Sequence, residues 1–160
     1  MAQSRAQPRH LNERVSLYFN ITNACNSACV FCASDSQDVT HHDIPTHVIC
    51  AAFERFDVGP EDEIVINGGE PTIHPGLHTI IREGVKRGAK LILFTNGRLL
   101  QTFDYTKALL IPGIFRVSIP LYAHSDIVHD RLTCRPGSFQ QTLQGIRNVF
   151  AIRSLTGYPT

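Results

Sequence analysis

The chain has 160 residues, 42% of them hydrophobic, with 15 basic against 14 acidic side chains and a formal charge of +1. A chain of this size can bury one core, and with no long apolar run it offers nothing to span a membrane. The balanced charge excludes the broad basic footprint that nucleic acid or an anionic surface would demand.

Residues 1–14 form a polar, basic segment without the apolar core of a secretory signal, so a cytoplasmic protein is expected, with one domain over 15–160. From Val15 onward, short β-rich runs alternate with stretches of helical spacing, the pattern of βα units on a parallel sheet. Strands are predicted at Val15–Ile21, Glu63–Asn67, Lys90–Thr95 and Phe115–Leu121. Helices are predicted after Pro45, where Val48, Ile49, Ala52, Phe53 and Phe56 recur, and through Leu77, Ile80, Ile81 and Val85. A weaker one covers Gln101–Leu110. The last starts near Ser138, where S-F-Q-Q reads as a capping box ahead of Leu143, Ile146, Val149 and Phe150. The class is α/β with four parallel units. A closed eight-unit barrel takes about 250 residues, and the fourth strand would keep an open edge. Missing C-terminal sequence or a partner chain is therefore expected to complete the sheet.

Directly after the first strand stands T-N-A-C-N-S-A-C-V-F-C, which places Cys25, Cys29 and Cys32 in a C-x3-C-x2-C spacing on a loop at the carboxyl end of that strand. Such loops are where α/β folds bind ligands. Five cysteines, three crowded together, make poor material for disulfides. Thiolates are soft ligands for iron-sulfur clusters or zinc, and three can wrap one centre while leaving a position open. A zinc knot completed by His41, His42 or His47 is the competing reading.

The second strand closes in G-G-E-P-T, Gly68 to Thr72. Two glycines allow close backbone approach, and Glu70 offers an acceptor to an amino group. Taken alone, the segment is also an ordinary strand-to-helix turn.

Together the cysteine spacing, with the aromatic Phe31 before its last member, and the G-G-E-P segment resemble the radical S-adenosylmethionine (radical SAM) superfamily. The resemblance runs from Val15 to Phe150 and implies a partial TIM-type barrel. It implies a [4Fe-4S] cluster on Cys25, Cys29 and Cys32, with the open iron chelated by S-adenosylmethionine. One electron from a flavodoxin- or ferredoxin-like donor would cleave that cofactor to a 5'-deoxyadenosyl radical, which abstracts hydrogen from a substrate. Gly68, Gly69 and Glu70 would meet the methionine amino group, Ser118 the ribose or carboxylate, and Asn96, in F-T-N-G, would line the cavity. The stretch H-D-R-L-T-C-R-P-G-S-F, His129 to Phe139, resembles peptide- and cofactor-maturation relatives, which makes Arg131 or Arg135 a candidate for a carboxylate and a peptide or cofactor precursor the expected substrate.

No side chain reads as a catalytic acid, base or nucleophile. Cys50 is expected to be a buried helical thiol and Cys134 to lie in a polar loop, neither on a metal. His41, His42, His74, His78 and His124 are expected to face solvent for the most part. A non-catalytic iron-sulfur or zinc module with an incomplete barrel is the alternative function.

Overall fold

Four short runs rich in Ile, Leu, Val and Phe pair side by side as the alternating pattern requires. The computed structural model describes residues 14–33 and 42–157; the first thirteen residues of the N-terminal segment and His41 lie outside them. The strands are β1 (Ser16–Asn20), β2 (Glu63–Asn67), β3 (Lys90–Phe94) and β4 (Arg116–Ser118), all parallel, in the order β1-β2-β3-β4. Parallel strands need crossovers, which α1 (Thr46–Arg55), α2 (Leu77–Lys86) and α3 (Phe103–Leu110) supply. Two further helices follow β4, α4 (Asp126–Thr133) and α5 (Ser138–Thr156).

Period-2 alternation divides the sheet into two faces. Ile64, Ile66, Leu91 and Leu93 pack with Ile49 and Phe53 of α1 and Ile80 and Ile81 of α2 in one apolar core, with Leu17, Phe19 and Val117 against its edge. The opposite face carries Tyr18, Val65, Ile92 and Arg116, aligned in one register row. The central strands β2 and β3 are buried on both faces, as a parallel sheet requires.

β4 is shorter than predicted: it ends at Ser118, and Pro120 cannot donate to a ladder. Among the described residues it pairs with β3 alone. Beside it, Phe115, Val117, Ile119, Ile146, Val149 and Phe150 line an apolar groove of about 490 Å³.

Helix α4 was not predicted. Its buried residues are His129 and Thr133, while Ile127 and Val128 are exposed, so no apolar stripe announces it. Nor does a capping box start α5. Its N-cap is Gly137 at φ 82°, without a side-chain cap of its own. The carboxylate of Asp130 on α4 serves instead, accepting from Gly137 N (2.5 Å), Phe139 N (2.8 Å) and Ser138 Oγ (2.8 Å). Ser138 Oγ also lies 3.1 Å from Nδ1 of buried His129. The H-D…G-S-F stretch is therefore a helix-to-helix joint, and Arg131 and Arg135 are both exposed.

This joint has a pH signature. Burial disfavours the Asp130 carboxylate, but the bonds from Phe139, Ser138 and Gly137 and the nearby His129 outweigh it and hold the carboxyl below its usual range. Burial, partly offset by Asp130, lowers His129. Both groups bind fewer protons folded than unfolded, so stability falls as pH drops below about 6.5, and again below about 3.9. D130A is expected to cost about 1–2 kcal/mol, as for a lost helix cap, and to remove the more acidic of the two steps. Urea titrations between neutral and acid pH measure both.

Candidate active site

The three cysteines occupy the loop that runs from the end of β1, and backbone bonds hold this loop from two sides. Gly69 N donates to Thr22 O and Glu70 N to Ala24 O, both at 2.8 Å, while Ala28 N and Val30 N donate to the Thr133 and Leu132 carbonyls at the end of α4, both at 3.0 Å. Those last bonds also satisfy carbonyls that a helix C-terminus would leave open. The glycines serve this closeness. A Cβ on Gly69 would collide with the Ala24 carbonyl and one on Gly68, at φ 137°, with the Thr22 carbonyl.

Cys25, Cys29, Phe31, Cys32, Asn67, Gly68, Gly69, Phe94, Thr95, Asn96 and Tyr122 line one cavity of about 330 Å³, within the range of small-molecule sites. The Phe31 ring meets Tyr122 edge-on at 4.7 Å. Burial pushes the Cys25 and Cys29 thiols up; at Cys25 the Ser27 amide, 3.4 Å from Sγ, opposes this, and at Cys29 the sulfurs of Cys25, Cys32 and Cys134 add to it. A metal centre binding there would displace the protons.

Two of the expected cofactor contacts, Glu70 and Ser118, are not among the lining residues. Glu70 is fully buried and does not line the cavity. Its Oε1 accepts from Thr72 N (2.9 Å), Thr72 Oγ1 (2.5 Å) and Thr95 Oγ1 (2.6 Å), and its Oε2 from Asn96 N (2.7 Å). A carboxylate has about four acceptor sites, so these donors nearly saturate it. It joins the G-G-E-P turn to the turn after β3. Tyr105 of α3 braces the turn from below, its hydroxyl donating to Thr72 O at 2.8 Å; burial, and then Glu70, push its pKa up to about 12. Ser118 is likewise absent from the lining; it ends β4, and its carbonyl accepts from Thr95 N.

Asn96 does line the cavity, but its Nδ2 is engaged with Asn26 Oδ1 at 2.7 Å. Asn67, just before the glycines, was not singled out in sequence. Its Oδ1 is buried without a hydrogen-bond partner among the described residues. An orphaned acceptor costs about 1–3 kcal/mol, so a ligand that donates to it would be favoured. Among the other expected residues, Cys50 is half-buried on α1, while Cys134 is exposed and, as expected, lies outside a helix, in the turn just after α4, where it takes a left-handed conformation. His74 is buried, Nε2 being 3.1 Å from Ile44 O and Nδ1 accepting from Gly76 N, because the P-G turn folds back over it.

The residues present fit an iron-sulfur cluster with a cofactor beside it. Three thiols share one cavity wall, and an orphaned acceptor and glycine backbone form another part of it. Among the described residues, no three His, Cys, Asp or Glu side chains converge as a single ion would need, and His42 and His47 are exposed.

A cysteine triad at the carboxyl end of a parallel four-stranded βα sheet places this chain among α/β proteins with a candidate metal-cofactor site. The chain belongs to the Radical SAM superfamily, whose model matches residues 19–156. The cofactors of this family are a [4Fe-4S] cluster and S-adenosylmethionine. An AdoMet-dependent heme synthase of Methanosarcina barkeri is 29% identical over 129 residues, covering 80% of this chain and 37% of that protein. A GTP 3',8-cyclase of Peptoclostridium acidaminophilum is 30% identical over 144 residues, covering 85% and 42%. The structure of native anSMEcpe with bound AdoMet and Cp18Cys peptide superposes with a TM-score of 0.72 at 16% identity, over 88% of this chain and 41% of that one. The chain thus spans about two fifths of the length of these proteins. The fold is that of the partial TIM-type barrel neighbours.

Proposed function

We propose that residues 15–160 form the cofactor-binding part of a radical SAM enzyme, with Cys25, Cys29 and Cys32 holding the cluster. The backbone of Gly68 and Gly69, with Asn67 Oδ1, receives the methionine end of S-adenosylmethionine at the iron left open. The observation that carries this reading is the single cavity shared by the thiol triad and the glycine backbone. When bound, the cluster supplies one electron for cleavage of the sulfur–carbon bond and so a 5'-deoxyadenosyl radical for hydrogen abstraction.

The chain's own part is to place and shield. Glu70 and Asn96 fix the turns that frame the cavity, and Phe31, Phe94 and Tyr122 give it apolar ring walls that keep water back. The electron comes from an external flavodoxin- or ferredoxin-like donor. Further C-terminal sequence or a partner chain covers the open β4 edge. The substrate is a peptide or a cofactor precursor, a reading supported by the heme synthase among the relatives and the peptide-bound neighbour.

Anaerobic reconstitution with iron and sulfide, reduction with dithionite and assay of S-adenosylmethionine conversion test the proposal. Cluster-dependent 5'-deoxyadenosine is the expected product. A cluster without cleavage would favour a non-catalytic iron-sulfur module, the reading that the open β4 edge supports. A chain that takes up no iron and sulfide would overturn both.

A further inference from the structure

Arg98 follows the T-N-G turn and belongs to none of the motifs above. Its guanidinium crosses to the cysteine loop: Nη1 donates to the Asn26 carbonyl and lies 3.3 Å from Ser27 Oγ, while Nε donates to Gln141 Oε1 of α5 at 2.7 Å. One half-buried cation thus ties the two residues after Cys25 to the longest helix. Asn96, two positions earlier, repeats the tie through Asn26 Oδ1. Cys25, Glu70 and Asp130 attract the Arg98 charge and Arg135 repels it, but no carboxylate among the described residues lies within ion-pair distance of it.

A planar fork suits this bridge, because Nε and Nη1 point in fixed directions toward two different elements. A lysine would keep the charge but cannot hold both partners through one rigid group. The charge matters for a second reason: cluster potentials respond to nearby charge, and accepting an electron makes a cluster and its thiolates one unit more negative.

We propose that Arg98 is a positioning residue that clamps the cysteine loop to α5 and that its positive charge, set behind Cys25, favours the one-electron-reduced form of a cluster on that loop. The electron is lost by an external low-potential donor and gained by the cluster, and no proton moves. The clamp stands on the loop geometry alone, whereas the charge effect rests on the iron-sulfur reading above.

Wild type, R98K and R98Q separate the two roles, with circular dichroism confirming that each folds. In the cluster-free full chain, hydrogen exchange of amides in residues 24–29 is expected to quicken about ten-fold in both variants, the scale set by one charge-assisted hydrogen bond. In the reconstituted chain, a dithionite titration followed by electron paramagnetic resonance is expected to show a more negative midpoint potential for R98Q, with R98K near wild type. Unchanged exchange in R98Q would overturn the clamp, and an unchanged potential in R98Q would overturn the charge effect. Should R98Q not fold, quickened exchange in R98K supports the clamp, and a wild-type rate there overturns it. A wild-type chain that takes up no cluster would sink the iron-sulfur reading and the charge effect with it, leaving the exchange rates to decide the clamp.

Discussion

C29A is expected to take up no stable cluster: the reconstituted chain stays colourless, its iron and sulfide fall to background, and 5'-deoxyadenosine formation is lost. The reason is ligand arithmetic. Three thiols face the cavity, and a [4Fe-4S] cluster already held by only three protein ligands cannot spare one. Cys29 is only half-buried and its removal leaves the backbone bonds of the loop in place, so thermal stability should change by about 1 kcal/mol or less. That separates a lost ligand from a lost fold. C50A and C134A provide the contrast, and both should keep the colour. C134A bears watching because the Cys134 sulfur acts electrostatically on Cys29. Loss of colour there would reassign the ligand set, and colour retained in C29A would remove Cys29 from it.

E70A is expected to damage the fold rather than only the affinity for a cofactor. It strips the acceptor from four donors, Thr72 N, Thr72 Oγ1, Thr95 Oγ1 and Asn96 N, in a fully buried position. Each stranded donor costs about 1–3 kcal/mol, though such terms do not simply add. A total of about 3 kcal/mol or more corresponds to a melting temperature lower by roughly 10 °C. E70Q should fall between, since one amide face presents a donor to a donor. Thermal unfolding of the cluster-free chain measures both. Unchanged melting with weakened cofactor binding would point instead to the direct amino-group contact that the motif suggests for Glu70.

The two predictions differ in how far sequence alone could reach them. Cys25, Cys29 and Cys32 are close in the chain, so their spacing is enough to bring three thiols to one loop, and the unbroken apolar runs of Ile, Val and Leu inside Glu63–Asn67 and Lys90–Phe94 are enough to mark central strands. The direction of Glu70 is not a local property. The turn points its carboxylate at Thr95 and Asn96, which lie 25 and 26 residues away along the chain. Asn67 and Arg98 were missed for the same reason: one is an acceptor left without a partner, the other a long side chain between loop and helix, and neither leaves a periodic trace. Helix α4 hid because its inward-facing residues are polar, His129 and Thr133 both meeting Ser138 through hydrogen bonds.

By itself the sequence determined the α/β class, the four parallel strands and the identity of the sulfur ligand candidates, because all of these follow from composition, periodicity and short-range spacing. Only the tertiary structure decided which polar side chains face the cavity and which are spent holding its walls. Hydrogen-bond partners are chosen by what the fold brings within 3 Å or so, and in this chain those partners come from strands and helices far apart in sequence.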